Sequence, residues 1–127
     1  MAHRSRLAGF IIDCQTDDLG AAATFWSQAL GVAIGESTAD ANSAYVQFDE
    51  TPAALHIEVQ KVDHPSRVHL DIEADDIDAE ADRLEKLGAK RIGFVKRWWV
   101  MEAPTGQRFC VVQMREDAER EAPNVWK

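Results

Sequence analysis

Phe10–Gly31 reads FIIDCQTDDLGAAATFWSQALG, and Val68–Gly88 reads VHLDIEADDIDAEADRLEKLG. At a constant offset Asp13, Asp17, Asp18, Ala21 and Ala23 fall on Asp71, Asp75, Asp76, Ala79 and Ala81, and after a one-residue gap Leu30 and Gly31 fall on Leu87 and Gly88. The chain is therefore an internal duplication. A solenoid needs about three or more repeats to bury a core, so a unit repeated only twice predicts two modules packed on each other, with their shared surface as the place for a ligand.

Working outward from the repeat, each copy predicts a strand, a helix and further strands. Leu7–Gln15 alternates and is rich in Ile and Phe, as a strand requires, and Thr16, Asp17 and Asp18 supply oxygens for the start of a helix. Leu19, Ala22, Ala23, Trp26 and Leu30 recur at helical spacing, and Gly31 is the stop. The second copy repeats the design with Ile77, Ala81, Leu84 and Leu87 as its stripe and Gly88 as its stop. Shorter extended runs follow each helix: Val32–Glu36, Ala44–Phe48 and Ala54–Gln60, then Lys90–Phe94, Arg97–Met101 and Arg108–Gln113. The expected fold is α+β, two βαβββ modules in one domain over 1–127. Module 1 spans about 7–60 and module 2 about 66–113. The charged tail, 114–127, is expected to be a surface helix or frayed.

Composition bounds the partners. The 127 residues are 46% hydrophobic and 28% charged, enough for one core, and the net charge of −8 disfavours nucleic acid and anionic membrane as partners. A small neutral or cationic ligand suits that field. No run of 18 apolar residues and no secretion signal is present, so the expectation is a cytoplasmic protein. Cys14 and Cys110 lie inside strands and are expected to be buried thiols. There is no CxxC, no phosphate-cradling glycine loop and no Ser-His-Asp spacing.

Strand parity sorts the side chains, because alternate residues point to opposite faces. Phe10, Ile12 and Cys14, Val68, Leu70 and Ile72, Leu55, Ile57 and Val59, and Phe109 and Val111 are expected to meet the helices. The opposite faces then collect His56, Glu58, Gln60, His69, Asp71 and Cys110, as a solvated surface or the wall of a polar cleft. Trp98 and Trp99 point to opposite faces, so one of them at most lines that cleft. Asp13 and Asp71 recur in both copies, which favours a structural role for them.

The segments DDLGAAATFWSQALG and DDIDAEADRLEKLGA, with the ending RWWVMEAPTGQRFCVV, resemble the vicinal oxygen chelate superfamily. That group includes glyoxalase I, bleomycin resistance proteins, extradiol dioxygenases and many unassigned glyoxalase-like proteins, the last being the nearest in motif. The resemblance covers about residues 7–113. It implies modules whose mixed sheet curls around a cleft with helices outside, commonly completed by a homodimer. It also implies a metal held by four side chains of the first and last strands. His69 matches one of those positions and Glu58 best matches another, with His56 and Gln60 on the same face. Ile11 stands at the third and has no donor atom, and Cys110 stands where the family has a glutamate.

Three functions fit these residues. The first is binding of a small organic molecule through His69, Glu58, His56, Gln60, Asp71, Trp98, Trp99 and Cys110, with no tightly held metal or other cofactor. The alternative is a metal-dependent lyase, isomerase or dioxygenase, in which His69 and Glu58 would hold a divalent ion. The third is a metal-free enzyme with His69 as candidate general base. The binding function is the expectation carried forward.

Overall fold

A computed structural model of the chain describes residues 2–39, 44–115, 120 and 122–127. Its elements follow the expected order: β1 His3–Gln15, α1 Leu19–Leu30, β2 Ala33–Ala39, β3 Ala44–Asp49, β4 His56–Val62, β5 Arg67–Ala74, α2 Ile77–Lys86, β6 Lys90–Val95, β7 Trp98–Glu102, β8 Arg108–Gln113 and β9 Asn124–Trp126. Two successive βαβββ modules make an α+β fold. The chain divides into two compact units, Phe10–Val68, and residues 1–9 with 69–127.

In the first unit the strands run β2-β3-β4-β1, antiparallel between β2 and β3 and between β3 and β4. Asp18 caps α1 by accepting from the Ala21 N–H at 3.0 Å. Gly31 ends the helix at φ 69°, the left-handed conformation that costs glycine nothing. The apolar stripe of α1 packs on the sheet, burying Ile12, Cys14, Ala23, Val32, Val46, Phe48, Ile57 and Val59, with Trp26 and Leu19 partly buried at the margin.

In the second unit the order is β1-β5-β8-β7-β6, and β9 pairs with the start of β1. β5 and β8 run parallel, which makes the sheet mixed. Asp76 caps α2 as Asp18 caps α1, accepting from the Ala79 N–H at 3.0 Å. The core is Ala74, Ala81, Leu84, Met101, Phe109 and Val111. A second contact of α2 is polar. Glu80, fully buried, lies 2.7 Å from His3 Nε2 and accepts two hydrogen bonds from Arg83 at 2.8 Å. Burial alone would push the Glu80 carboxyl up, and the hydrogen bonds from Arg83, His3 and Ser5 outweigh it, so it sits below the ordinary glutamate range. Arg83 also stacks on Trp126, 3.9 Å from the ring centroid, and the Trp126 indole donates to Ser5 Oγ at 2.8 Å.

Three expectations are corrected. β1 starts at His3 rather than Leu7, because His3 and Ser5 are buried beneath Glu80 and Trp126. The tail is neither a helix nor frayed throughout: Asn124–Trp126 is a strand registered on His3–Ser5, while 116–119 and 121 lie outside the described residues. Val68 and Leu70 are 57% and 51% exposed, because the core beneath α2 takes Ile72 and Ala74 from the far end of β5.

Candidate functional site

The first unit carries one polar group on the sheet face opposite α1. Ile57 and Val59 point into the core, so parity turns His56, Glu58 and Gln60 the other way. The chain enters β4 through a constrained turn: Ala53 and Ala54 both hold left-handed φ values, 55° and 54°, and the Thr51 hydroxyl donates to the Leu55 carbonyl. Each left-handed alanine costs about 1 kcal/mol, which the surrounding turn must offset. His56 Nε2 lies 2.6 Å from Glu58 Oε1. A carboxylate only accepts, so Nε2 carries the proton, and in the neutral imidazole Nδ1 then presents its lone pair. His56 Nδ1 is buried and has no hydrogen-bond partner among the described residues. On the same sheet Asp13, 2% exposed, has Oδ2 3.6 Å from Arg67 Nε. Its charge, after burial itself, raises the neighbouring Cys14 thiol above its ordinary range.

The second unit carries another group. Asp71 and Cys110 are register partners on the parallel strands β5 and β8, and His69 shares their face two residues before Asp71. One donor atom from each lies within 4.8 Å of the others, and His69 Nε2 is 3.6 Å from Asp71 Oδ1. Asp71 is buried, and His69 and Cys110 are half-buried. Val100 is the register partner of Cys110 on β7, and Trp98 shares Val100's face. Trp99 takes the other side: it packs against the core, donates from its indole to Asp78 Oδ1 at 2.8 Å, meets Phe94 edge-on and lies under Arg91. Cys110 is thus less buried than expected.

The expected site residues therefore fall into two sets, His56 with Glu58 and Gln60 in one unit, and His69, Asp71, Cys110 and Trp98 in the other. Strand parity also puts Glu73 next along the face of Asp71, but sequence reasoning missed the partners that bury it. Its carboxylate, 3% exposed, is held by Arg6 Nε at 2.5 Å and Arg120 Nη1 at 3.1 Å. No spacing signal connects partners so far apart in the chain.

The four positions that the resemblance assigns to a hard divalent ion do not fit one. Ile11 is 4% exposed and carries no donor, Glu58 Oε1 is engaged by His56, and Cys110 offers sulfur where Mg²⁺ or Mn²⁺ favours oxygen.

The paired βαβββ modules are those of the vicinal oxygen chelate superfamily. Within it, the chain belongs to the glyoxalase-like domain family, whose model matches residues 9–112. No curated protein matches the chain. Among solved structures it is similar to a hypothetical protein from Bacillus halodurans C-125, with TM-score 0.66, 12% identity, and 91% of this chain and 99% of that one covered. It is similar to methylmalonyl-CoA epimerase from Mycobacterium tuberculosis, with TM-score 0.64, 14% identity, and 86% and 87% covered. A halotolerant catechol dioxygenase follows, with TM-score 0.59, 14% identity, and 91% of this chain on 43% of that one. At such identities the likeness is one of fold.

Proposed function

We propose that this glyoxalase-like protein binds a small organic molecule at the face of its first unit that carries His56, Glu58 and Gln60, without a catalytic ion of the four-ligand kind. The observation that carries the reading is His56 Nδ1, a buried nitrogen with no hydrogen-bond partner among the described residues, on an imidazole whose other nitrogen is already fixed by Glu58. A buried polar atom left unsatisfied costs about 1–3 kcal/mol, and a ligand O–H or N–H donated to Nδ1 removes that penalty. Gln60, beside Tyr45 in register, offers a second polar contact on the same face. The ligand is accordingly a molecule with at least one hydrogen-bond donor.

A thermal-shift screen of the chelator-treated full chain against small hydroxylated and amine-bearing organic compounds tests this. A true ligand at a hundredfold excess over its Kd stabilises the protein by about 2.7 kcal/mol. His56→Leu should abolish that response and leave the unliganded protein folded. An unchanged response in this variant, or no responding compound, refutes the reading.

Pairing of two copies belongs to the same proposal. β2 and β6 end the strand orders of their units, and both carry exposed apolar side chains, Ile34 at 48% and Phe94 at 53%. Sedimentation should report a dimer, and a monomer at tens of micromolar would refute it.

A further inference from the structure

We propose that His69, Asp71 and Cys110 form a binding site for a thiophilic divalent cation of the zinc class, complete within the second unit. The proposal goes beyond ligand binding at His56 and does not depend on it.

The backbone supplies the arrangement. Parallel pairing sets Asp71 and Cys110 side by side on adjacent strands, and the period of two brings His69 to the same face. Around a tetrahedral zinc with bonds of about 2.0–2.3 Å, neighbouring ligand atoms stand roughly 3.3–3.7 Å apart. His69 Nε2 and Asp71 Oδ1, 3.6 Å apart, already meet that spacing. The remaining separations are at most 4.8 Å, so closure needs a side-chain movement on the order of 1 Å.

Chemistry selects the ion. One imidazole nitrogen, one carboxylate oxygen and one sulfur make a three-ligand set of the kind that leaves zinc a fourth position for water or an incoming ligand. Cys110 binds as thiolate, its proton leaving to solvent, and the thiolate and carboxylate together neutralise the ion's two positive charges. That compensation matters at Asp71, which is 8% exposed. The sulfur also disfavours Mg²⁺, Ca²⁺ and Mn²⁺. The set differs from the four positions implied by the family resemblance: it uses Asp71, does without Ile11 and Glu58, and exchanges a hard oxygen for a soft sulfur.

Cobalt(II) is the probe, because a cobalt–thiolate bond gives a near-ultraviolet charge-transfer band that oxygen and nitrogen ligands do not. The chelator-treated full chain should take one cobalt per chain, show this band and lose it when zinc is added. Magnesium at the same concentration should leave it intact. Cys110→Ser should abolish the band and Cys14→Ser should preserve it. His69→Ala, which retains both thiols, should weaken binding at least about tenfold and so covers the case in which Cys110→Ser fails to fold. The proposal is overturned by absence of the band at saturating cobalt, by its survival in Cys110→Ser, by its displacement by magnesium, or by unchanged affinity in His69→Ala.

Discussion

The two units carry the same plan to different ends. Both helices begin on an aspartate that accepts from the amide three residues on at 3.0 Å, and both end at a glycine with positive φ. The leading strands diverge: where the first has the buried Ile11, the second has the half-buried His69. The helices diverge too. The repeat aligns Glu80 of α2 with Ala22 of α1, so one helix docks through an ion-paired carboxylate and the other through apolar contact alone. Residues that fix the backbone path recur in both copies, and side chains on the faces differ.

The largest expected break in this symmetry is Glu80→Ala. Removing one member of a buried ion pair strands its partners, and the loss should be about 3 kcal/mol in denaturant unfolding. Ala22→Gly, at the equivalent position, breaks no pair and should cost about 1 kcal/mol. Equal losses would show that the Glu80 network contributes nothing specific. The same carboxyl gives a pH signature. Its folded value lies below the ordinary one, so its contribution is present above the ordinary glutamate range and disappears as pH falls through the folded value. Glu80→Gln should flatten that acid limb of stability, and an unaltered limb would assign it to other carboxyls such as Asp75, which the Arg4 amide and guanidinium also hold low.

The glycine stops should differ next. An added Cβ at Gly31 meets nothing within 4 Å, whereas at Gly88, φ 109°, it lies 3.2 Å from Pro104 Cγ. Gly31→Ala should cost about 1 kcal/mol and Gly88→Ala about 2 kcal/mol, with the reverse order in unfolding midpoints contradicting the geometry. The caps should not differ: Asp18→Ala and Asp76→Ala should each cost about 1 kcal/mol. A large inequality between them would mean that one cap also serves tertiary packing. The smallest effect is on reactivity rather than stability. Cys14, buried and raised by burial and by Asp13, should alkylate more slowly in the native protein than the half-buried Cys110. Faster labelling of Cys14 would reverse the burial order.

Much of this molecule was legible where local rules govern it. Period-two runs located β1 through β8 within a few residues, and the aspartate and glycine signals bounded both helices. Parity alone separated His69, Asp71 and Cys110 from Phe109 and Val111. Packing between distant segments was not legible. The alternating pattern puts the first strand's start at Leu7, yet His3 and Ser5 are buried in it, because Glu80 and Trp126 complete their hydrogen bonds. Glu80 falls on what the helical wheel makes a polar flank, and its hydrogen bonds with Arg83, His3 and Ser5 make its burial tolerable. Arg120 reads as one charge in a charged tail, and the buried Glu73 gives it a place. In the site, the sequence supplied the donor types, while the His56–Glu58 bond and the common focus of His69, Asp71 and Cys110 required coordinates.

The division of the chain also bears on the order in which it can fold during synthesis. The first unit is one uninterrupted stretch, Phe10–Val68, so all of its contacts are available once that stretch has emerged, while the remainder is still being translated. The second unit combines residues 1–9 with 69–127, and its pairing of His3–Ser5 with Asn124–Trp126 cannot form until β9 has been made. Until then the amide edge of the first strand stays without its β9 partner, and His3 and Ser5 lack the cover of Trp126. A nascent chain halted shortly before residue 124 should therefore resist proteolysis across its first module and remain cleavable near its start.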